Sequence, residues 1–209
     1  MSNKIDFNKY IKTSFEGPSQ SYYTAKSRFD EILRTKLGVD TGANLIGGTS
    51  TFSTAGGNFT ATSVNAVYDD VRLSSGATGA AIDAKLAGTG LEGLGEAFVD
   101  AEKKYGVNAW FLTGLAAHES GFGSSKIATE KNNIFGFKAY DSSPYESAST
   151  FATKAEGIEV VAKYLSEAYL TPGGTYYNGV SIDSIGKRYA TDPQWANKVK
   201  QHMANLLMA

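Results

Sequence analysis

The chain has 209 residues, of which 42% are hydrophobic and 20% are charged. This length and composition favour one compact domain with an extension over two full domains. Twenty basic and twenty-one acidic residues give a net charge of −1 without a cluster of lysine and arginine, so we expect no nucleic-acid partner. The absence of cysteine excludes disulfides and thiolate zinc sites, and two histidines are too few for a multi-histidine metal site. We therefore expect no cofactor, and we expect carboxylates to be the catalytic groups.

The first 80 residues differ in composition from the rest of the chain. Ala25–Leu37 carries apolar residues at helical spacing, whereas residues 38–67 are rich in Gly, Ser, Thr and Ala, which predicts a linker or an irregular loop. A short helix is expected at Asn65–Leu73. No apolar run reaches the roughly 18 residues of a membrane span, and the N-terminus lacks the apolar segment of an export signal. We predict an N-terminal extension over residues 1–80, partly irregular, and a folded domain over residues 81–209.

The first two helices of this domain have recognisable start and stop signals. Leu91–Tyr105 places its apolar residues three and four positions apart, and Gly106 follows it as a residue that can end a helix. Ala109–Ser120 has one apolar stripe and is preceded by Asn108, a preferred N-cap residue. The sequence therefore predicts two consecutive helices separated by a very short connection.

The second half of the domain combines a strand-like stretch with further helices. Ile134–Tyr140 and Glu146–Phe151 flank a polar turn that contains proline, which predicts a small β-hairpin. The predicted fold class is therefore α+β and mainly α, with a small β-hairpin lobe. Helical spacing and capping signals predict three more helices, at Ala155–Tyr169, at Ser181–Tyr189, and from Asp192 onwards with Pro193 in the first turn.

Glu119 is the sharpest candidate for a catalytic group. It lies four residues after Leu115 and eight after Phe111, on the apolar side of a predicted helix. Burial raises the pKa of a carboxyl group, and the negative end of the helix dipole acts in the same direction. A carboxyl group that stays protonated near neutral pH suits general-acid protonation of a glycosidic oxygen. The structural alternative is a glutamate at a helix end that bonds to the backbone or to a lysine.

Three motifs in the second half of the chain carry a resemblance to a known family. They are LAAHESGFGSS at Leu115–Ser125, NNIFGFK at Asn132–Lys138 and YATD at Tyr189–Asp192. Together, and in this order, they strongly resemble the peptidoglycan N-acetylglucosaminidases of glycoside hydrolase family 73. The resemblance covers roughly Leu91 to the end of the chain. It implies a lysozyme-like helical domain with a small β-lobe, which cleaves the β-1,4 bond and leaves N-acetylglucosamine at the reducing end.

The resemblance also implies catalytic roles for two carboxylates. Glu119 matches the general acid of the family. A second carboxylate lies on the β-lobe in the family, and Glu146 is the acidic residue in the matching strand here. Asp141 in the turn and Glu156 at the next helix start are rivals, although each has a structural interpretation in a turn or a first helical turn. The second carboxylate would activate water, or would orient the substrate while its own acetamido group attacks the anomeric carbon.

Further residues of the motifs are candidates for substrate binding. The asparagine side chains would bind an acetamido group, the glycine would let a sugar approach the backbone, and exposed tyrosines would stack on sugar rings. His118, Trp110 and Trp195 are interpreted as structural, His118 because it points about 100° away from Glu119 on a helix. The predicted binding residues are Asn132, Asn133, Phe135, Gly136, Tyr189 and, from a loop, Tyr177.

The leading hypothesis is an enzyme, an endo-β-N-acetylglucosaminidase that acts on peptidoglycan glycan strands at the bacterial cell wall. The alternatives are a muramidase or lytic transglycosylase of the same superfamily, a wall-binding module, and a wall-degrading structural component of a phage tail or flagellar apparatus. In the last case residues 1–90 would serve assembly. Because this substrate lies outside the cytoplasmic membrane, an extracellular or virion-associated location is expected. No export signal is visible, and a phage-borne protein or one passed through a flagellar export channel would need none.

Overall fold

The computed structural model describes residues 52–54, 57–59, 66–139 and 143–208, which belong to one compact unit. The predicted helix at Ala25–Leu37 lies outside the described residues, as do residues 140–142, which include Asp141. The strands form one antiparallel pair, with Phe52 opposite Phe59. The strands are β1 (Phe52–Thr54) and β2 (Gly57–Phe59), and the helices are α1 (Gly79–Leu86), α2 (Gly95–Tyr105), α3 (Ala109–Ser120), α4 (Lys126–Glu130), α5 (Pro144–Ser147), α6 (Lys154–Leu165), α7 (Ile182–Tyr189) and α8 (Trp195–Met208).

Helix α3 lies at the centre of the described core, because eleven of its twelve residues are buried. A helix that is hydrophobic on all sides needs neighbours on all sides, and α2 and α8 both pack against it. The approach of α8 is very close at Gly114, where a Cβ atom would lie 2.5 Å from Cγ of Met203. Helix α2 also packs against α1 and α6, which completes the helical layer around α3.

The sequence signals around α3 act as predicted. The side chain of Asn108 accepts a hydrogen bond from the backbone N–H of Phe111 at 3.1 Å, as an N-cap does. Gly106 and Gly121 end α2 and α3 in the left-handed backbone conformation, which glycine adopts without steric cost. Helix α2 starts four residues later than predicted, because the preceding segment turns at Gly93 with a φ of +78°.

The later helices are confirmed with small differences in their ends. Helix α6 ends at Leu165 and is followed directly by one π-helical turn, Ser166–Leu170. Ser181 caps α7 by accepting from the backbone N–H of Ser184. Helix α8 starts at Trp195, because residues 192–194 form a turn in which Asp192 accepts from the N–H of Gln194 at 2.8 Å. A short helix at residues 66–69 lies within the segment predicted to be helical.

The predicted β-hairpin is wrong for the residues that the structure describes in that stretch. Residues 134–139 form turns, and Pro144–Ser147 is one turn of helix. The backbone has positive φ angles at Asn132, Gly136 and Lys138, which extended strands do not tolerate. Two isolated backbone bonds, from Ser149 to Phe137 and from Phe151 to Lys131, still join the two segments. The fold of the described residues is therefore mainly helical, with a loop where a β-lobe was expected.

None of the described helices is both long enough and apolar enough to cross a lipid bilayer. The boundary predicted between residues 80 and 81 stays a prediction. Val67 and Val71 precede it and are buried in the same core as α3. The backbone N–H of Val71 donates to Val180, and its carbonyl accepts from Asn108.

Candidate active site

Glu119 lies in the last turn of α3 and is buried, with 7% of its surface exposed. The helical period places it below Leu115 on a helix whose surroundings are apolar, as the sequence predicts. The indole N–H of Trp195, at the first position of α8, donates a hydrogen bond of 2.9 Å to Oε1 of Glu119. No ion pair to Glu119 is present among the described residues. The site is therefore a buried carboxyl group with an uncharged donor beside it.

Burial raises the pKa of Glu119 to about 8, because a carboxylate loses its hydration in an apolar surrounding. The hydrogen bond from Trp195 acts in the opposite direction, since it stabilises the charged form, and it is the smaller effect. At neutral pH the protonated form of Glu119 therefore predominates. This is the state that a general acid must have before it donates its proton.

Tyr189 completes the immediate surroundings of Glu119. It ends α7, is buried, and lies against Trp195 with a distance of 4.9 Å between ring centroids. Burial and, after it, the nearby charge of Glu119 raise the pKa of Tyr189 well above its usual value, so that its hydroxyl group keeps its proton. The structure thus brings together two members of separate sequence motifs, Glu119 and Tyr189, through a tryptophan that belongs to neither motif.

A row of aromatic side chains leads away from this centre. Tyr189 contacts Tyr169 with centroids 5.7 Å apart, and Tyr169 stacks on Tyr176 at 5.1 Å. Tyr164 contacts Tyr169 at 6.0 Å and Phe137 at 5.2 Å. The row therefore connects α8, α7 and α6 with the loop that follows α4.

The two asparagines predicted to bind substrate are occupied with the protein itself. Asn133 is 1% exposed, and its amide N–H groups donate to the carbonyls of Phe137 at 3.0 Å and Ser149 at 2.9 Å. Its oxygen accepts from the N–H of Phe137 at 2.9 Å. Asn132 donates to the carbonyls of Phe151 and Ala152, each at 3.1 Å. These contacts give both side chains a part in holding the loop, and their role toward substrate stays a prediction.

The other predicted binding residues divide between core and surface. Phe135 is fully buried, and Gly136 turns the loop with a φ of +58°. Tyr177 is 38% exposed on the loop before α7. Its neighbour Tyr176 packs against the core instead.

The candidates for the second carboxylate have different surroundings from Glu119. Glu146 is exposed and lies on α5, the short helix that replaces the second predicted strand. Glu156 accepts a hydrogen bond of 2.6 Å from the backbone N–H of Ala152 at the start of α6, which is its structural interpretation. Asp141 lies outside the described residues.

Helix α5 is held in place from one side by Lys131. Its ammonium group donates to the backbone carbonyls of Tyr145 and Ala148, the second of these at 3.1 Å, and lies 4.6 Å from the centre of the Tyr145 ring. The hydroxyl group of Tyr145 donates to Glu130. One lysine therefore joins both ends of the segment that carries Glu146.

His118 faces a different environment from its neighbour Glu119, as the helical rotation predicts. Its ring lies 5.6 Å from the ring of His202 on α8. Burial, followed by the nearby charges of His202 and Lys198, lowers the pKa of His118 to about 4. Among the described residues, Nε2 of His118 and Nδ1 of His202 are buried and have no hydrogen-bond partner. Both histidines are thus neutral parts of the contact between α3 and α8.

Trp195 is the site residue that the sequence does not reveal, because its place near a helix start predicts only a packing role. The available signal was its indole N–H, a donor that needs a partner when it is buried. Its partner lies 76 residues earlier in the chain, so local spacing does not reveal it.

Residues 95–207 match the family model described as mannosyl-glycoprotein endo-β-N-acetylglucosaminidase, which is slightly more than half of the chain. The chain belongs to the glucosaminidase family. This confirms the resemblance seen in the three motifs. The matched region starts at the first residue of α2 and includes the whole site described above.

Curated relatives agree with this assignment. The chain is 40% identical over 116 residues to a putative endo-β-N-acetylglucosaminidase of Streptococcus pneumoniae serotype 4, a match that covers 56% of this chain and 18% of the relative. It is 31% identical over 141 residues to a β-N-acetylglucosaminidase of Bacillus subtilis, covering 58% of this chain and 16% of that protein. The chain therefore corresponds to less than a fifth of the length of these relatives.

Among solved structures, Staphylococcus aureus autolysin E in complex with the muropeptide NAM-L-Ala-D-iGlu has a similar fold. The TM-score is 0.56 at 23% sequence identity, and the match covers 86% of this chain and 90% of the other. A catalytic mutant of the same protein, in complex with the disaccharide NAG-NAM, matches with a TM-score of 0.55 at 22% identity. The mainly helical architecture of the described residues is thus similar to that of autolysin E.

Proposed function

We propose that this chain is an endo-β-N-acetylglucosaminidase that hydrolyses the β-1,4 bond between N-acetylglucosamine and N-acetylmuramic acid in bacterial peptidoglycan. The observation that carries the proposal is the buried Glu119, whose pKa lies near 8 and which sits in the matched family region. The names of the curated relatives and the NAG-NAM complex of autolysin E support the choice of substrate. Such an enzyme acts at the bacterial cell wall.

In this proposal Glu119 is the general acid. Its protonated carboxyl group donates to the glycosidic oxygen as the bond to the leaving sugar breaks. The carboxylate that results is charged in an apolar site, where the hydrogen bond from Trp195 stabilises it. The neighbouring hydroxyl group of Tyr189 keeps its proton and is suited to donate a hydrogen bond near the developing charge.

Glu146 is the proposed second carboxylate. Glu146 is exposed to solvent, and in this proposal its carboxylate activates water or stabilises positive charge at the anomeric carbon. The two carboxyl groups therefore have different environments, one buried and one exposed, and correspondingly different roles. This division of labour is typical of glycoside hydrolases.

The sugar-binding residues are proposed from the loop that follows α4 and from the loop before α7. Gly136 leaves space for a sugar beside the backbone, and Asn132, Asn133 and Phe135 shape the loop that carries it. Tyr177, which is exposed, offers a ring face for stacking.

The decisive experiment measures the products of digestion of purified peptidoglycan. Borohydride reduction followed by mass spectrometry should show reduced N-acetylglucosamine ends. Reduced muramic acid ends would identify a muramidase, and anhydro-muramic acid ends a lytic transglycosylase. Glu119→Gln should release product at least about 100-fold more slowly while retaining the circular dichroism spectrum of the parent protein. Glu167→Gln, an exposed substitution on the π-helical turn, serves as the matched control with full activity.

Assembly into a phage tail or a flagellar apparatus through residues 1–90 is a separate proposal, which the enzyme activity neither requires nor opposes. It is tested by co-purification of the full chain with virion or flagellar rod particles from its source. A variant that lacks residues 1–65, and therefore keeps Val67 and Val71 in the core, should retain glucosaminidase activity and lose that association.

A further inference from the structure

Trp195 is held on three sides, and its orientation is therefore strongly determined. On one side its ring lies against Tyr189 at an angle of 32° between the ring planes. On another it approaches α7 at Gly186, where a Cβ atom would lie only 2.9 Å from Cε3 of the indole. Its own backbone N–H donates to the carbonyl of Asp192 in the turn before α8. On the remaining side, the indole N–H donates its hydrogen bond to Glu119.

This arrangement differs from ordinary packing of a tryptophan in a core. An aromatic ring that only fills space needs no donor toward a carboxyl group, and a phenylalanine would serve equally well. Here a rigid ring delivers one N–H group to one oxygen of the buried glutamate at 2.9 Å. Hydrogen bonds to charged groups contribute more than those between neutral groups, and the contact is shielded from water.

We propose that Trp195 is a positioning residue for the reaction, which fixes the orientation of the Glu119 carboxyl group and stabilises the carboxylate formed after proton transfer. Gly186 contributes to this arrangement, because the absence of a side chain there lets the indole of Trp195 reach its position. The inference rests on the proposed function for its catalytic meaning. The physical coupling between the indole and the carboxyl group exists without substrate and is tested on its own.

The charged and titratable groups around Glu119 determine how clearly this coupling can be measured. From α7 the titratable group that interacts with Glu119 is Tyr189, which remains neutral up to strongly alkaline pH. From α8 the uncharged indole of Trp195 contacts Glu119. The ion pair between Lys198 and Asp192 interacts instead with His118, on another face of α3. A titration near pH 8 in this site therefore reports on Glu119.

The first experiment follows the two indole N–H resonances of the full chain by nuclear magnetic resonance between pH 5 and pH 9.5. The chain has two tryptophans, so Trp195→Phe assigns both signals, and Trp110 provides the internal reference. The Trp195 signal should shift with a midpoint near pH 8, and Glu119→Gln should abolish this shift. A Trp195 signal that does not titrate, or that titrates equally in Glu119→Gln, overturns the proposal whether or not the protein is a glucosaminidase.

The second experiment measures the pH dependence of kcat/KM on peptidoglycan. Trp195→Phe retains a ring against Tyr189 and loses the donor, so the alkaline limb should move upward by roughly one to two pH units, because a charge-assisted bond is lost. The kcat should fall about tenfold with little change in KM. Trp110→Phe is the matched control and should leave the profile unchanged. An unchanged alkaline limb in Trp195→Phe contradicts the proposed role.

Gly186→Ala provides a test that leaves both Trp195 and Glu119 in the chain. Alanine is favoured over glycine within a helix, so α7 itself is not weakened, but the new methyl group displaces the indole. We expect a lower kcat and an altered titration of the Trp195 signal. Lys187→Ala, an exposed change on the same helix, should behave as the parent protein. A fully active Gly186→Ala with an unaltered Trp195 signal would show that the contact is not needed.

Discussion

The two carboxylates proposed for catalysis lie in very different surroundings. Glu119 belongs to a regular helix in the centre of the core, and its partners come from two further helices. Glu146 belongs to a single helical turn without buried residues, in a loop region that lysine and asparagine side chains hold by hydrogen bonds to its backbone carbonyls. The comparison teaches that burial sets the protonation state of the first group, whereas polar contacts to the backbone set the position of the second.

The largest effect on activity is expected for the buried carboxyl group of Glu119. Glu119→Gln should reduce kcat by a factor of about 100 to 10,000 or more, because general-acid catalysis contributes about this much. The alkaline limb of the parent pH profile, which we expect near pH 8, should disappear with the activity. Initial rates of reducing-sugar release between pH 5 and pH 9.5 measure both effects. Turnover equal to that of the parent protein would remove Glu119 from the mechanism.

The identity of the exposed second carboxylate is tested with substitutions of two glutamates that lie close in sequence. Glu146→Gln should lose activity at least tenfold, since the variant has no charge with which to activate water or stabilise the anomeric carbon. Glu156→Gln should lose much less, because the main contact of Glu156 is with the backbone N–H of Ala152. Rates for the two variants are compared at equal concentrations of folded protein. The reverse order would mean that Glu156 is the second carboxylate.

The importance of polar contacts in the loop is tested at Asn133. Asn133→Ala removes the two hydrogen bonds that Asn133 donates and the one that it accepts from Phe137, and it takes this partner from the Ser149 carbonyl and from the Phe137 N–H, so the free energy of unfolding should fall by about 1 to 3 kcal/mol. Chemical denaturation measures this change. Asn132→Ala, at a more exposed position, should cost less stability. If the Asn133 variant is fully stable but does not bind substrate, Asn133 contacts the sugar directly, as the motif predicts.

Lys131→Met tests whether the bonds from Lys131 hold α5, the helical turn that carries Glu146, in place. The variant keeps the length of the side chain and removes the donors to Tyr145 and Ala148, so we expect faster amide hydrogen exchange over residues 144–148 and a decrease in kcat of several-fold. Lys126→Met is the matched control, because Lys126 lies over the same Tyr145 ring. Equal effects of the two substitutions would assign the result to the loss of cation–π contact rather than to the carbonyl bonds.

The smallest effect concerns stability in acid. His118 is neutral in the folded protein, with its pKa lowered to about 4, and an unfolded histidine has a pKa of about 6.5. The unfolded state therefore binds more protons between these values, so the stabilisation is fully present above pH 6.5 and is lost progressively as the pH falls toward 4. Melting temperatures over this range should fall less in His118→Gln than in the parent protein. Parallel curves for both proteins would show that this histidine does not contribute.

The sequence allowed good prediction wherever local signals agree with each other. The helix from Ala109 to Ser120 was predicted with its N-cap, because an asparagine, an apolar stripe and a glycine occur together at the correct spacing. The burial of Glu119 followed from the same helical period. The β-hairpin was wrong. Alternating residues such as Phe135 and Phe137 look like a strand, but the side chain of Asn133 donates to the Ser149 carbonyl and accepts from the Phe137 N–H, and these bonds hold the backbone in turns.

The sequence by itself therefore determined the helices, the three family motifs and the side of α3 on which Glu119 lies. Only the tertiary structure decided that Trp195 faces this carboxyl group across 76 residues of chain, and that Gly186 makes room for it. The physical reason is that helical periodicity and capping act within a few residues, whereas the direction of a buried donor depends on how separate helices pack. The same reason explains why the protonation of Glu119 was foreseeable from local burial and its hydrogen-bond partner was not.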